Sequence, residues 1–249
     1  FHVVLSDMQM PQMNGAQLFE AVRQQHPNTM RVLLTGAADV NSAIAAINQG
    51  EIYRYLTKPW NDAELVGVLK SAIELGELAK AREAKLRASY ISSIKAFSGL
   101  MALRRPDLLA HSRRVANLSR RVARQAGLSE DVAQEIYIAG LLHDVGKVGL
   151  LDRILNTKFI ELPLADAKVY RTHTTMGEAT LNTLDDMQGV AAIIRSHHEY
   201  FNGTGFPDAL TGKAIPIGAR IVAIVEAYEE LQSGDYAKAE SSPADAARV

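Results

Sequence analysis

The sequence predicts two domains of different class, a parallel α/β sheet followed by an all-α domain, with a long helix between them. Three observations carry this. From Phe1 to about Trp60, short apolar runs alternate with helix-spaced segments. From Asp62 to about Leu103 there is no proline and the spacing is helical. Beyond that, apolar residues recur at three- and four-residue steps. The expected divisions are 1–75 for the sheet domain, 76–103 for the linking helix and 104–249 for the helical domain.

Each element follows from local chemistry. Phe1 to Leu5 is a Val-rich run of the kind found in strands buried on both faces. Gly15 to His26 has helical spacing at Leu18, Phe19 and Val22, and Pro27 ends it. Arg31 to Leu34 and Ile52 to Leu56 read as further strands. Between them lies an Ala-rich helix from Asp39 to Gln49, stopped by Gly50. This βαβαβ order predicts a parallel sheet with right-handed crossovers, which carries its active groups at the carboxyl ends of the strands. In the linking helix, Leu86, Tyr90, Ile94 and Phe97 form a stripe, and Glu83 and Arg87 form an i,i+4 pair. The stripe suits packing on the chain's own domains or a homodimer through an irregular coiled coil.

The helical domain opens with a core-facing stripe of Leu108, His111, Val115, Leu118 and Val122, closed by Gly127. Ser129 is placed as N-cap of the next helix, which is expected to run to about Val145. Further helices fit Leu164 to Arg171, Met176 to Leu184, Gly189 to Tyr200 and Ile217 to Leu231. Phe201 to Ile215 is Gly- and Pro-rich and directly follows a His pair, so it reads as a functional lid.

Composition narrows the function. At 47% hydrophobic and 22% charged, the chain is ordinary globular material, not a disordered or fibrous one. A formal net charge of -1 argues against a general nucleic-acid binder, so no DNA partner is expected. No run approaches ~18 uninterrupted apolar residues, so no membrane insertion is expected. The opening FHVVLSD has no Met and no basic leader, and it reads as the inside of a longer protein. There is no Cys, so any metal must be held by His and carboxylates.

Two constellations carry chemistry. Asp7, Thr35 and Lys58 each stand at the end of a predicted strand, so a parallel sheet brings them to one edge. A carboxylate beside a hydroxyl and an ammonium suits an aspartyl phosphate, whose oxygens the other two groups can bond. LSDMQMPQMNG, LLTGAA and YRYLTKPW resemble the motifs of response-regulator receiver domains. The resemblance implies a flavodoxin-like fold, a cognate sensor histidine kinase, Asp7 as phosphoacceptor, and Thr35, Tyr55 and Lys58 as switch residues. In that family an earlier strand ends in an acidic pair that holds Mg²⁺. This chain begins after it, so the strand of Asp7 is expected at an edge and phosphorylation of this chain as written is expected to be inefficient.

The second constellation is His111, His143, Asp144, His173, His197 and His198. His143 and Asp144 sit in an apolar helix, and Lys147 follows His143 by four residues, facing the same space if the helix persists. Gly146 lets the backbone bend there. Buried His and Asp are costly unless paired or ligated. Such a set supports two-metal hydrolysis, in which two cations ~3.5–4 Å apart activate water and neutralise a phosphoryl group.

HSRRV, LLHDVGKVG, HTTMG, SHHEYFNGTGFP and GARIVAIVEAYEEL together resemble the HD-GYP subgroup of HD phosphohydrolases. The resemblance implies a bacterial, cytoplasmic protein that hydrolyses cyclic di-GMP to the linear dinucleotide or GMP. It carries metal ligation to His111, His143, Asp144, His173, His197, His198 and Glu226, with Asp144 bridging and acting in catalysis with Lys147. It implies two divalent ions, Fe or Mn ahead of Zn, and a third if Asp107 is a ligand. It places Lys147, Gly205, Phe206 and Pro207 against substrate. Phe206 stands where the family has Tyr, Asn202 and Glu226 where it has Asp, and Lys238 is the remaining cation where it has a phosphate-binding Arg. The chain also stops before the family's last helices. These departures give a second reading, a domain that binds cyclic di-GMP or a protein partner without hydrolysis.

Overall fold

The computed structural model describes residues 1–36, 52–184 and 186–233. The chain divides into two compact units, Phe1–Ser89 and Tyr90–Val249.

The first unit is built on three parallel strands, β1 (Val3–Asp7), β2 (Met30–Thr35) and β3 (Arg54–Thr57), in that spatial order. β1 is thus an edge strand among the described residues. Helix α1 (Gly15–Gln25) follows β1, capped by Asn14 and Gln17 in a reciprocal box. The two faces of β2 feed two cores, as strand alternation requires: Leu33 packs with Phe19 and Ile52, and Val32 packs with Leu56, Val68 and Ala72. The strands run two residues further along the chain than expected for β1, so Asp7 closes the strand instead of following it. Thr35 likewise closes β2, and Ile52 lies before β3 as a core residue. The helix expected from Asp39 to Gln49 lies outside the described residues.

Helix α2 (Asp62–Arg104) contributes Val68 and Ala72 to the first unit and Tyr90, Ile94, Phe97 and Met101 to the core of the second. Leu86 is exposed, and Glu83 accepts a hydrogen bond from Asn28 at 2.8 Å instead of serving Arg87. Pro106 then starts a new helix.

In the second unit, α3 (Pro106–Gln125) and α4 (Glu130–Leu142) pack face to face. The buried face of α3 is Leu109, Ser112, Val115, Ala116, Ser119 and Ala123, turned from the predicted stripe, and Val122 is exposed. Small residues explain the turn: a Cβ at Gly140 would lie 2.9 Å from the Cα of Ala116, so the two backbones meet where no bulk intervenes. Ser129 caps α4, accepting from the amide of Val132, a contact worth ~1 kcal/mol.

After a short helix α5 (Asp152–Leu155) come α6 (Leu164–Arg171), α7 (His173–Leu181), α8 (Gln188–Ser196) and α9 (Ile217–Ser233). Several expected boundaries move, three of them at the polar cluster. α4 stops at Leu142 and gives way to a 3-10 turn, Val145–Gly149; α7 begins at His173; α8 ends at Ser196, leaving His197 and His198 just beyond it. Among the described residues, no helix is long and apolar enough to cross a membrane.

Candidate metal centre

Helix ends deliver the polar side chains. His143 follows α4, Asp144 and Lys147 lie in the 3-10 turn region, His173 opens α7 and His197 follows α8. All five are buried. His111 from α3 and Glu226 from α9 complete the ring, and the Nε2 atoms of His143 and Glu226's Oε1 stand 3.5 Å apart. The ligand atoms fall into two groups, His173 with His197 and His198, and His111 with His143, Asp144 and Glu226; within each, all lie within 4.8 Å of one another.

The helix ends also orient the rings. A terminal turn leaves carbonyls free, and three histidines use the one three residues back. Nδ1 of His143 meets Gly140 O at 2.8 Å, that of His173 meets Tyr170 O at 2.7 Å, and that of His197 meets Ile194 O at 2.6 Å. A carbonyl only accepts, so each Nδ1 carries the hydrogen and each ring turns its Nε2 inward; on His173 and His197, which burial keeps neutral, that Nε2 is a lone pair. His173 Nε2 and His197 Nε2 therefore face each other at 3.4 Å, lone pair against lone pair.

Glycines set the approach. A Cβ at Gly146 would lie 2.0 Å from the carbonyl oxygen of His173, and one at Gly177 would lie 2.9 Å from Ile194. The turn bearing Asp144 thus docks directly on the backbone that opens α7. Gly146 has no positive φ; its role is this contact, not a bend. The helix does not persist to Lys147, yet the tighter turn still brings Nζ to 2.8 Å from Asp144. That ammonium is equally near both carboxylate oxygens, but only Oδ2 is aligned to accept, which leaves Oδ1 without a hydrogen bond.

The charges are mutually set. Burial would raise Asp144, but His143 and Lys147 hold it well below the usual carboxylate range. Burial would lower Lys147, and Asp144 keeps it charged. Burial opposes protonation of His143, but Asp144 and Glu226 outweigh it and raise it to about 10. Burial, then Lys147 and His198, lower His173 to about 3, and burial also lowers His197, His198 and His111.

A family model for the HD domain matches residues 95–249, more than half of the chain. The chain belongs to the HD-domain family. A second model, the response regulator receiver domain, matches residues 1–70. A cyclic di-GMP phosphodiesterase response regulator, RpfG of Xanthomonas campestris pv. campestris, is 30% identical over 93% of this chain. The chain spans 65% of that relative's length. A cyclic di-GMP phosphodiesterase of Thermotoga maritima is 26% identical over 93% of this chain and 68% of its own. The solved receiver domain of an HD domain-containing protein from Pseudomonas fluorescens Pf-5 is 46% identical, covering 32% of this chain and 59% of that one, with a TM-score of 0.30.

The HD domain's donor set fits a divalent cation. His143 Nε2, Asp144 Oδ1, His198 Nε2 and Glu226 Oε1 are buried with no hydrogen-bond partner among the described residues. Buried polar atoms rarely stay unsatisfied, and imidazole with carboxylate is the donor chemistry of Fe, Mn or Zn. Asp107 is in neither group; it is exposed and paired with Arg105. It stands in the first turn of α3 as a surface pair with that Arg.

Beyond these donors, the long loop of the HD domain is pinned and forms a wall, not a free lid. The buried Glu199 carboxylate accepts from the amides of Asp208 at 2.6 Å and Leu210 at 3.0 Å, Arg195 clasps Asp208, and Asn202 bridges to Thr211. Gly205 is used up in packing: a Cβ there would lie 2.3 Å from the amide of Tyr200. Phe206 lies against His198, centroids 4.8 Å apart, with Pro207 next to it. Lys238 lies outside the described residues.

Sequence reasoning missed four side chains of the HD domain. They are Tyr170, under Lys147 Nζ at 5.0 Å and raised to about 12 by burial; Arg171; Glu199; and Glu230, raised to about 8 by burial and Glu226. The available signals were the nearness of Tyr170 and Arg171 to His173, of Glu199 to His198 and of Glu230 to Glu226.

In the receiver domain, Asp7 and Lys58 form an ion pair that lowers the Asp7 carboxyl. Thr35 is buried one register step away, its hydroxyl donating to Gly36 O at 3.2 Å, and Tyr55 is half-buried against the Phe19 cluster.

Proposed function

We propose that the HD domain of this chain hydrolyses cyclic di-GMP at a divalent-metal cluster held by His111, His143, Asp144, His173, His197, His198 and Glu226, under control of the receiver domain. The observation that carries this is the opposed pair of lone pairs on His173 and His197, with unsatisfied buried donors and acceptors around it. Such an arrangement favours positive charge among the rings, and burial keeps protons off both. Relatives named cyclic di-GMP phosphodiesterases supply the substrate class.

Divalent ions bound there supply charge for the non-bridging oxygens of a phosphodiester and make water acidic enough to attack near neutral pH. The protein's own groups do the rest. Asp144 suits a shared ligand, with Oδ1 3.8 Å from His173 Nε2 and Oδ2 3.4 Å from His143 Nε2. Glu226 spans the groups in the same way, at 3.5 Å from His143 and 3.9 Å from His197, so the extra methylene relative to Asp is accommodated. Lys147 stays charged and, with one edge on Asp144, keeps donors for a phosphate oxygen. Phe206 offers an apolar face on which guanine stacks. In a longer protein that carries the Mg²⁺-binding acidic pair, Asp7 would take the phosphoryl group from a sensor kinase, Lys58 would pair with it, and Thr35 and Tyr55 would respond to the added charge of about -1.5 to -2.

The test is to incubate Mn²⁺- or Fe²⁺-loaded protein with cyclic di-GMP and chromatograph the products, with and without acetyl phosphate. Linear dinucleotide or GMP that disappears in Asp144→Ala is expected. Binding without product would establish the non-hydrolytic reading, and, in a longer protein that carries the Mg²⁺-binding acidic pair, rates indifferent to acetyl phosphate would reject receiver control.

A further inference from the structure

We propose that Arg171 is a specificity-determining residue that holds the second phosphodiester of a cyclic dinucleotide while the first lies at the metal cluster. This rests on the proposed hydrolysis of cyclic di-GMP. A belt of rings leads out of the cluster on two sides. On one, His198 packs on Phe206. On the other, His173 packs on Tyr170 at 5.1 Å, and Tyr170 packs on Phe159 at 5.1 Å. The belt closes at Arg171, whose guanidinium carbon lies 5.1 Å from the Phe206 centroid and 5.7 Å from that of Phe159.

The site therefore has two cations at two depths. Lys147 is buried and bonded to Asp144; Arg171 is exposed and forms no ion pair with a carboxylate among the described residues. A guanidinium over a ring is attracted to the ring's face and keeps its in-plane N–H edge free. That edge matches the paired oxygens of a phosphate, which Lys cannot meet in the same bidentate way. A substrate with one phosphodiester is satisfied by the cluster and Lys147 and leaves Arg171 unused. A ring with two phosphodiesters meets both cations. Arg171 also sits in the last turn of α6, where any cation favours the helix end, so the test must separate recognition from stability.

Steady-state kinetics and equilibrium binding on metal-loaded wild type, Arg171→Ala and Arg171→Lys do so, using cyclic di-GMP and the single diester bis(p-nitrophenyl) phosphate. Arg171→Ala is expected to raise KM and Kd for cyclic di-GMP about tenfold with kcat within about twofold, and to leave the single diester unchanged. Arg171→Lys should recover part of the loss. Unchanged KM and Kd for cyclic di-GMP in Arg171→Ala would overturn the assignment. Parallel losses on both substrates with a lowered Tm would also overturn it, in favour of a structural role. Wild type that cleaves the single diester but neither binds nor cleaves cyclic di-GMP would sink the proposed function, and this assignment with it. The Kd comparison decides the matter even for a domain that binds without turnover.

Discussion

His143, His173 and His197 each tie Nδ1 to the carbonyl three residues back and turn Nε2 toward a common centre. The device costs no additional side chain, because a helix end already has free carbonyls, and it selects the tautomer that a metal needs. Its signature in the metal-free protein is pH-dependent stability. His173 is lowered to about 3 when folded and returns to about 6.5 when unfolded. Between those values the unfolded chain binds a proton that the folded chain refuses, so stability is complete above 6.5 and is lost as pH falls. The loss is up to about 1.4 kcal/mol per histidine per pH unit. His197, His198 and His111 are lowered as well and act in the same direction. His143 runs the other way: its contribution is full below 6.5 and fades toward about 10, so it adds no slope in acid. Asp144 and Glu226 stay ionised in both states until pH nears the carboxylate range. The Tm of metal-free protein should therefore drop between pH 7 and 5, and His173→Gln should flatten the drop. An equal drop in the variant would contradict this account.

At the level of elements, the site depends on two turns lying closer than side chains allow. Gly146 in the 3-10 turn meets the first carbonyl of α7, and Gly177 one turn later receives Ile194 of α8. Together they bring Asp144 and His173 onto one centre although they come from different segments. Gly146→Ala must push the turn and α7 apart, because a Cβ 2.0 Å from a carbonyl oxygen has no flexible neighbour to displace. We expect a loss of ~2 kcal/mol or more in stability, in the range of core overpacking, and metal content reduced by elemental analysis. Gly99→Ala is the contrast. Gly99 is mid-helix in α2 with nothing within 4 Å of its would-be Cβ, so the same change should stabilise by ~0.5–1 kcal/mol through helix propensity. Full metal content in Gly146→Ala would show that the close approach does not position the ligands.

On the scale of the whole molecule, all seven proposed ligands belong to the second compact unit. Metal that binds the folded state alone raises stability with its concentration. Calorimetry with added Mn²⁺ should therefore raise the Tm of the HD-domain transition, leave that of the receiver domain where it was, and lose the effect in Asp144→Ala. A shift of both transitions would place binding elsewhere. Much of this architecture was legible in the chain itself. βαβ alternation announced the parallel sheet, LLHDVGKVG and the His197–His198 pair announced donors that cluster in the fold, and Ser129 announced a helix start, because these signals are local in sequence. The buried face of α3 was misread, since apolar spacing marks large side chains whereas the packed face is set by Ala116 against Gly140. The run of α4 was extended to Val145, since nothing in HDVGK announces a change to 3-10 geometry. Tyr170 and Arg171 carried no motif of their own, and Glu199 and Glu230 lay inside motifs whose spelling did not single them out. By itself, then, the sequence determined which chemical groups are available and which short segments hold them. Only the tertiary structure decided that seven donors converge in two groups, that three imidazoles show the same nitrogen, and that Arg171 lies over Phe206. Those relations join residues far apart in the chain, and packing between helices, not local propensity, sets distances of that kind.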